Sequence, residues 1–332
     1  MGIDEKVMGR FNYVQVIKWI IVVAIFLFLG KMVWENWVQV KETPFTLKVF
    51  PILLSTLLFV FSYFIQIWAW YLITQKLGIA ISYQETLKSW FYSQLGKYLP
   101  GKVWLILGRF YFYESMGKSR KEILVALYLE TVTMLIAAGL LSFVALLFLK
   151  EANPIHAGIP FWWMFPLLIV AFLSLHPQAL QKILNWILIQ IKREPISLSI
   201  SYSDILWVLF ICILAWVVGG VSFYLFVDSV FPVSLQYILF LTGALAFSSI
   251  LGLIAIFAPS GLGVREGVLV YLLSYLMPGG VAVIISVLTR IWMTLIEIGL
   301  IGVIYLSGQF QKGLEKRDRH GKTQKDSGTG EA

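Results

Sequence analysis

From Ser229 to Val264 the chain carries no Asp, Glu, Lys, Arg or His. A bilayer core of roughly 30 Å is crossed by about 20 helical residues at 1.5 Å each, so a run of this length reads as membrane-embedded. It has company. Val49 to Gln75, Ile159 to Leu175 and Ile205 to Val227 are equally free of charge, Ile123 to Leu149 carries only Glu130, and Val14 to Met32 carries only Lys18 and Lys31. Over 332 residues, 59% are hydrophobic and 13% charged, which excludes an ordinary soluble domain and points to an all-α polytopic membrane protein. The first apolar run has no small-residue cleavage site and ends at Lys31 and Trp34, so it reads as a retained anchor.

On a soluble protein a net charge of +8 would suggest nucleic acid. Here the basic residues crowd into alternate loops, which makes them a topology signal, and no nucleic-acid partner is expected. With the N-terminus inside, 20 of the 26 Lys and Arg fall on the cytoplasmic side, and only Lys31, Lys41, Lys48 and Lys150 fall outside. Arg265 and Arg290 remain, embedded in apolar sequence. The expectation is a multi-pass protein of the cell (inner) membrane with both termini cytoplasmic.

A shift of about 160 residues brings Ser62-Tyr63-Phe64 onto Ser222-Phe223-Tyr224, Pro100-Gly101 near Pro259-Ser260-Gly261, and the Glu130 helix onto the Arg290 helix. Under the charge-derived topology the matched helices run in opposite directions, which describes an inverted repeat. Between them each half holds two arms around a Pro-Gly break: Thr86 to Leu99 with Val103 to Tyr113, and Leu235 to Phe257 with Val264 to Met277. The predicted architecture is six full spans plus two re-entrant helical hairpins, entering from opposite sides. An arrangement of eight transmembrane helices fits the periodicity equally well. Residues 1–48 would form the anchor and an outer loop, 49–204 the first half with its connecting helices, 205–307 the second half, and 308–332 a disordered basic cytoplasmic tail.

The sequence offers little for an enzyme. His156, His176 and His320 lack ligand spacing, the single cysteine Cys212 excludes an internal disulfide or thiolate cluster, and there is no nucleophile elbow or phosphate-binding loop. No metal, cofactor or catalytic residue is expected. The embedded charges Glu130, Arg290 and Glu297 each need a partner or a watery cavity, because a bare charge at mid-bilayer costs roughly 2.5–3.5 kcal/mol even on insertion scales. Glu130 and Arg290 occupy matching points of the two halves and are expected to pair. A second constellation gathers at the hairpin breaks: Lys97, Pro100, Gly101, Lys102 and Arg109 in the first half, Pro259, Gly261, Gly263, Arg265 and Glu266 in the second. Glycine lets backbone amides approach an anion, and Arg and Lys complement phosphate, so these residues suit a lipid phosphate. For Lys97, Lys102 and Arg109 the plain alternative is cytoplasmic charge lying beside anionic lipid.

GKYLPGKVW at 96–104, Glu130 in LYLETV and APSGLGVREG at 258–267 resemble, in that order, the flippase-like membrane region of the lysylphosphatidylglycerol synthase family. The last motif is the most specific, with Ser260 where the family signature has glycine. The resemblance implies a membrane protein that moves lipids or lipid-linked glycans between leaflets; the substrate expected is an anionic phospholipid or a polyprenyl-phosphate-linked saccharide, and a cell-envelope glycosyltransferase is the candidate protein partner. Because only a short segment follows the last helix here, the aminoacyl transfer of the synthases is not expected. A membrane-embedded headgroup or glycosyl transferase, and a non-transporting accessory subunit, are the alternative readings.

Overall fold

The computed structural model describes residues 37–42, 45–98, 103–147, 175–190, 200–255 and 261–328, with scattered single positions such as Leu27, Lys31 and Ala258 and with backbone alone from 308 onward. Its elements are α1 (Trp37–Glu42), α2 (Val49–Lys76), α3 (Tyr83–Gln94), α4 (Val103–Ser115), α5 (Arg120–Leu147), α6 (Pro177–Gln190), α7 (Tyr202–Val230), α8 (Ile238–Ile254), α9 (Val264–Leu273) and α10 (Gly279–Gly328). A 3-10 turn, Leu95–Tyr98, extends α3, and another, Leu235–Tyr237, precedes α8. No strand occurs among the described residues. The chain resolves into two units, Met1–Arg290 and Ile291–Ala332, the second comprising the later part of α10 and the residues after it.

Helix entry follows local chemistry. Ser82 caps α3 and Ser201 caps α7, each accepting the backbone N–H of the residue three positions on, while Glu85 and Asp204 return the bond to the cap. Pro278 supplies the carbonyl that Ala282 bonds as α10 begins, consistent with a helix starting where proline's missing N–H does no harm.

α2 and α7 form the spine of the first unit and run antiparallel. Lys48 Nζ meets Asp228 Oδ2 at 3.0 Å at one end of the pair, and Lys76 Nζ meets Asp204 Oδ1 at 2.8 Å at the other. Small residues let the two helices close up between those ends: Ser222 Oγ donates to the Ser55 carbonyl at 2.7 Å, and Gly219 faces Ser62. α5 packs on α7 through Trp216 Nε1, which donates to the Met134 carbonyl at 3.2 Å, and on α8 through Ser142 Oγ, which donates to the Gly243 carbonyl at 3.3 Å. The core lies among these four helices. The outward faces of α2 and α7 carry Phe50, Leu53, Leu57, Phe61, Trp207 and Phe210 exposed, as a lipid-facing surface requires.

Five helices among the described residues are long and apolar enough to cross a membrane: Val49–Lys76, Arg120–Ala145, Tyr202–Val230, Leu235–Ile254 and Gly279–Ser307. Four of them are expected spans. The fifth, α8 with its leading turn, is the first arm of the second hairpin, and it is longer than its counterpart in the first. The remaining expected spans, Val14–Met32 and Ile159–Leu175, lie essentially outside the described residues. The second arm, α9, has 10 residues, about 15 Å of helix, and cannot cross alone. The basic segment expected to be disordered continues α10 as helix through Gly328. Its Lys, Arg, Gln and Glu are good helix formers, and extending an existing helix avoids the cost of nucleation.

Candidate functional site

Arg109, on α4, is 2% exposed. Its Nη1 donates to Glu130 Oε2 on α5, and its Nε donates to Ser93 Oγ on α3 at 3.4 Å. The guanidinium lies 4.6 Å from the centre of the Trp70 ring on α2 and 6.0 Å from that of Trp90 on α3. One side chain therefore joins the first hairpin to both helices beside it. A carboxylate, a hydroxyl and two π faces together offset the desolvation that would otherwise exclude a charge from this interior. Behind it, Trp70 Nε1 donates to the Tyr113 hydroxyl at 2.7 Å and Ser89 Oγ donates to the same oxygen at 3.3 Å, which fixes the Trp70 ring. Trp90 Nε1 is buried and has no hydrogen-bond partner among the described residues.

The second hairpin is anchored by the opposite charge. Gly261 and Gly263 hold φ of +69° and +83°, the left-handed region that glycine enters without a Cβ penalty. Glu266, three residues into the helix, turns back so that its Oε2 accepts the Gly263 N–H at 2.6 Å, completing the half of a capping box that a glycine cap permits. Its Oε1 faces Arg290 Nε on α10 at 3.7 Å, an ionic contact beyond hydrogen-bond length. Glu266 is 2% exposed, and its carbonyl accepts from Ser286 Oγ at 3.2 Å. The glycines also allow close approach: a Cβ on Gly261 would lie 2.7 Å from the Gly252 carbonyl oxygen, and one on Gly252 would lie 3.0 Å from the Arg265 Cβ. The GLGVREG segment thus turns the chain tightly against α8 and caps α9 in one stroke.

These contacts correct one expectation. Glu130 and Arg290 do not pair with each other; Glu130 is held by Arg109, and Arg290 faces Glu266. The reason is local. Each hairpin's second arm packs beside the helix that follows it, so the nearest opposite charge comes from the preceding hairpin rather than from the other half of the chain. Burial also sets Arg109 apart from a solvated loop charge. Lys97 and Arg265 are half-buried, and Glu297 is buried on α10 two turns beyond Arg290. Pro100, Gly101, Lys102 and Pro259 lie outside the described residues. Sequence reasoning missed Trp70, Trp90, Ser93 and Tyr113, although a tryptophan among Thr86, Ser89, Ser93 and Gln94 is an available signal: polar residues on a buried arm imply something polar to bind. Among the described residues no group of His, Cys, Asp and Glu is placed to hold a metal ion.

The sequence model of the family described as Lysylphosphatidylglycerol synthase TM region matches residues 15–302. The chain belongs to this family. No curated protein matches it. As a lysylphosphatidylglycerol synthase TM region, it carries both ion pairs and the glycine junction inside the matched span, in a multi-pass helical protein whose family ties it to membrane lipid. The Arg109–Glu130 and Glu266–Arg290 pairs share one plan within this region, a hairpin arm clasped to the next helix, with the signs of the charges exchanged.

Proposed function

We propose that the protein is a flippase-like translocase that moves an anionic phospholipid, or a polyprenyl-phosphate-linked saccharide, between the leaflets of the cell membrane. The observation that carries this reading is the pair of Arg–Glu clasps, each with one buried member, one at each broken-helix hairpin, among helices of membrane-crossing length. Buried charge and broken backbone are costly in lipid and are retained where a polar headgroup must pass. In this reading the two hairpins are re-entrant and related by an inverted repeat, both termini are cytoplasmic, and the phosphate is taken by Lys97, Pro100, Gly101, Lys102 and Arg109 of the first hairpin and by Pro259, Gly261, Gly263 and Arg265 of the second, whose turn Glu266 holds. The acyl or isoprenyl tail stays in the bilayer, so only the headgroup needs the polar path. The sequence holds no nucleotide-binding motif, so movement is downhill, ion-coupled, or drawn by a cell-envelope glycosyltransferase that consumes the lipid on the far side.

Leaflet exchange of a fluorescent anionic lipid in proteoliposomes tests the reading. The wild-type protein is expected to accelerate exchange. Arg265→Lys keeps the charge without the two-pronged donor geometry and should slow exchange more than it lowers thermal stability, while Arg265→Ala should abolish it. Full exchange by a well-folded Arg265→Ala protein would move the phosphate ligands to Lys97, Lys102 and Arg109 on the first hairpin. No exchange of any anionic lipid by the folded wild-type protein would sink translocation.

A further inference from the structure

Trp90 is 3% exposed, and its Nε1–H has no acceptor among the described residues. A buried donor left unpaired is a standing cost, and native interiors rarely carry one without a use. Its surroundings point to that use. The Arg109 guanidinium lies over the Trp90 ring, 6.0 Å from its centre, so an arginine and an indole share one small region of the first hairpin. The acceptors that Arg109 meets there are the Glu130 carboxylate and the Ser93 hydroxyl, and neither of them takes the Trp90 proton. Donors outnumber acceptors. The Glu130 side chain is 16% exposed against 2% for Arg109, which puts the carboxylate on the more open side of the pair.

We infer that Trp90 Nε1–H and Arg109 together form the seat for the phosphodiester of an anionic lipid, with Glu130 holding the guanidinium in place when no phosphate is bound. The inference rests on the lipid-translocation reading and adds a donor that carries no charge and stands outside both hairpin-tip motifs. An indole N–H suits this place because it donates to a phosphate oxygen without attracting a free carboxylate as a second cation would. The competing reading is that the N–H points into the neighbouring Tyr63 ring, whose centre lies 5.3 Å from that of Trp90.

The test uses the full chain, labelled with 15N at the tryptophan indoles, in non-ionic detergent micelles. The Trp90 resonance is assigned by its loss in Trp90→Phe. Phosphatidylglycerol, the matching diacylglycerol and inorganic phosphate are added in separate titrations. Phosphatidylglycerol is expected to shift the Trp90 resonance and diacylglycerol to leave it in place. Trp90→Phe keeps an aromatic ring but lacks the donor, and should bind phosphatidylglycerol about tenfold more weakly. An unmoved resonance, or equal affinity in the variant, overturns the seat and favours the Tyr63 contact. A response to inorganic phosphate with none to phosphatidylglycerol overturns the lipid as its source. Should Trp90→Phe fail to fold, a headgroup-photoactivatable phosphatidylglycerol crosslinked to the wild-type protein must label the segment around Trp90 and Arg109, and labelling confined elsewhere overturns the seat. An intact Trp90 response without leaflet exchange would instead defeat translocation and leave the binding site standing.

Discussion

Arg109 reaches α2, α3 and α5 from its own helix, so removing it strands Glu130 in an interior that solvates charge poorly. Arg109→Gln and Glu130→Gln are each expected to cost about 3–5 kcal/mol of stability, and the double variant to recover part of that loss, because no unpaired charge then remains. Unfolding of the four proteins in detergent, followed by circular dichroism, measures the coupling. The same cycle run on Glu130 and Arg290, which sit in separate clasps, should give additive effects. Strong coupling there, with none between Arg109 and Glu130, would contradict the pairing described above. Reading the chain alone identifies Glu130 and Arg290 as embedded charges that need partners. It assigns the partners wrongly, because repeat symmetry constrains which positions correspond and not which side chains touch.

At the scale of elements, the junction between α8 and α9 depends on two glycines held at positive φ. Gly261→Ala is expected to be strongly destabilising: the left-handed conformation alone costs an L-residue roughly 1–2 kcal/mol, and the new methyl would meet the Gly252 backbone at 2.7 Å. Gly267→Ala is the internal control. It lies in helix with open space where a methyl group would project, and should raise stability by up to about 1 kcal/mol. Thermal midpoints of the two variants in detergent check both signs, and a harmless Gly261→Ala would mean that the tight turn is not needed. The motif at 258–267 is legible as a turn from its glycines and proline. That its glutamate caps the following helix and faces Arg290 emerges only once α9 and α10 are packed.

For the whole molecule, the antiparallel α2–α7 pair, pinned by an ion pair at each end, is the arrangement that an inverted repeat demands of its first matched helices. Combined with the distribution of Lys and Arg, it predicts that protease sites added at either terminus are protected in intact right-side-out cells and cut in inverted membrane vesicles. External cleavage at one end only would overturn the inverted-repeat reading.

Residue order alone establishes the membrane environment, the helical class, the positions of most described spans and the two hairpin breaks. Each follows from a one-dimensional quantity: apolar run length against bilayer thickness, or the backbone limits of Pro and Gly. The family is legible too, through short motifs whose residues are close in sequence. It takes packing in three dimensions to establish that Arg109 is buried, and that Glu130 and Arg290 are each clasped by the hairpin preceding them. Packing also surrounds that arginine with Trp70, Trp90 and Tyr113. Those outcomes depend on which helix faces come together, and a buried charge is stabilised by whatever lies within a few ångströms, a distance that spacing along the chain does not encode.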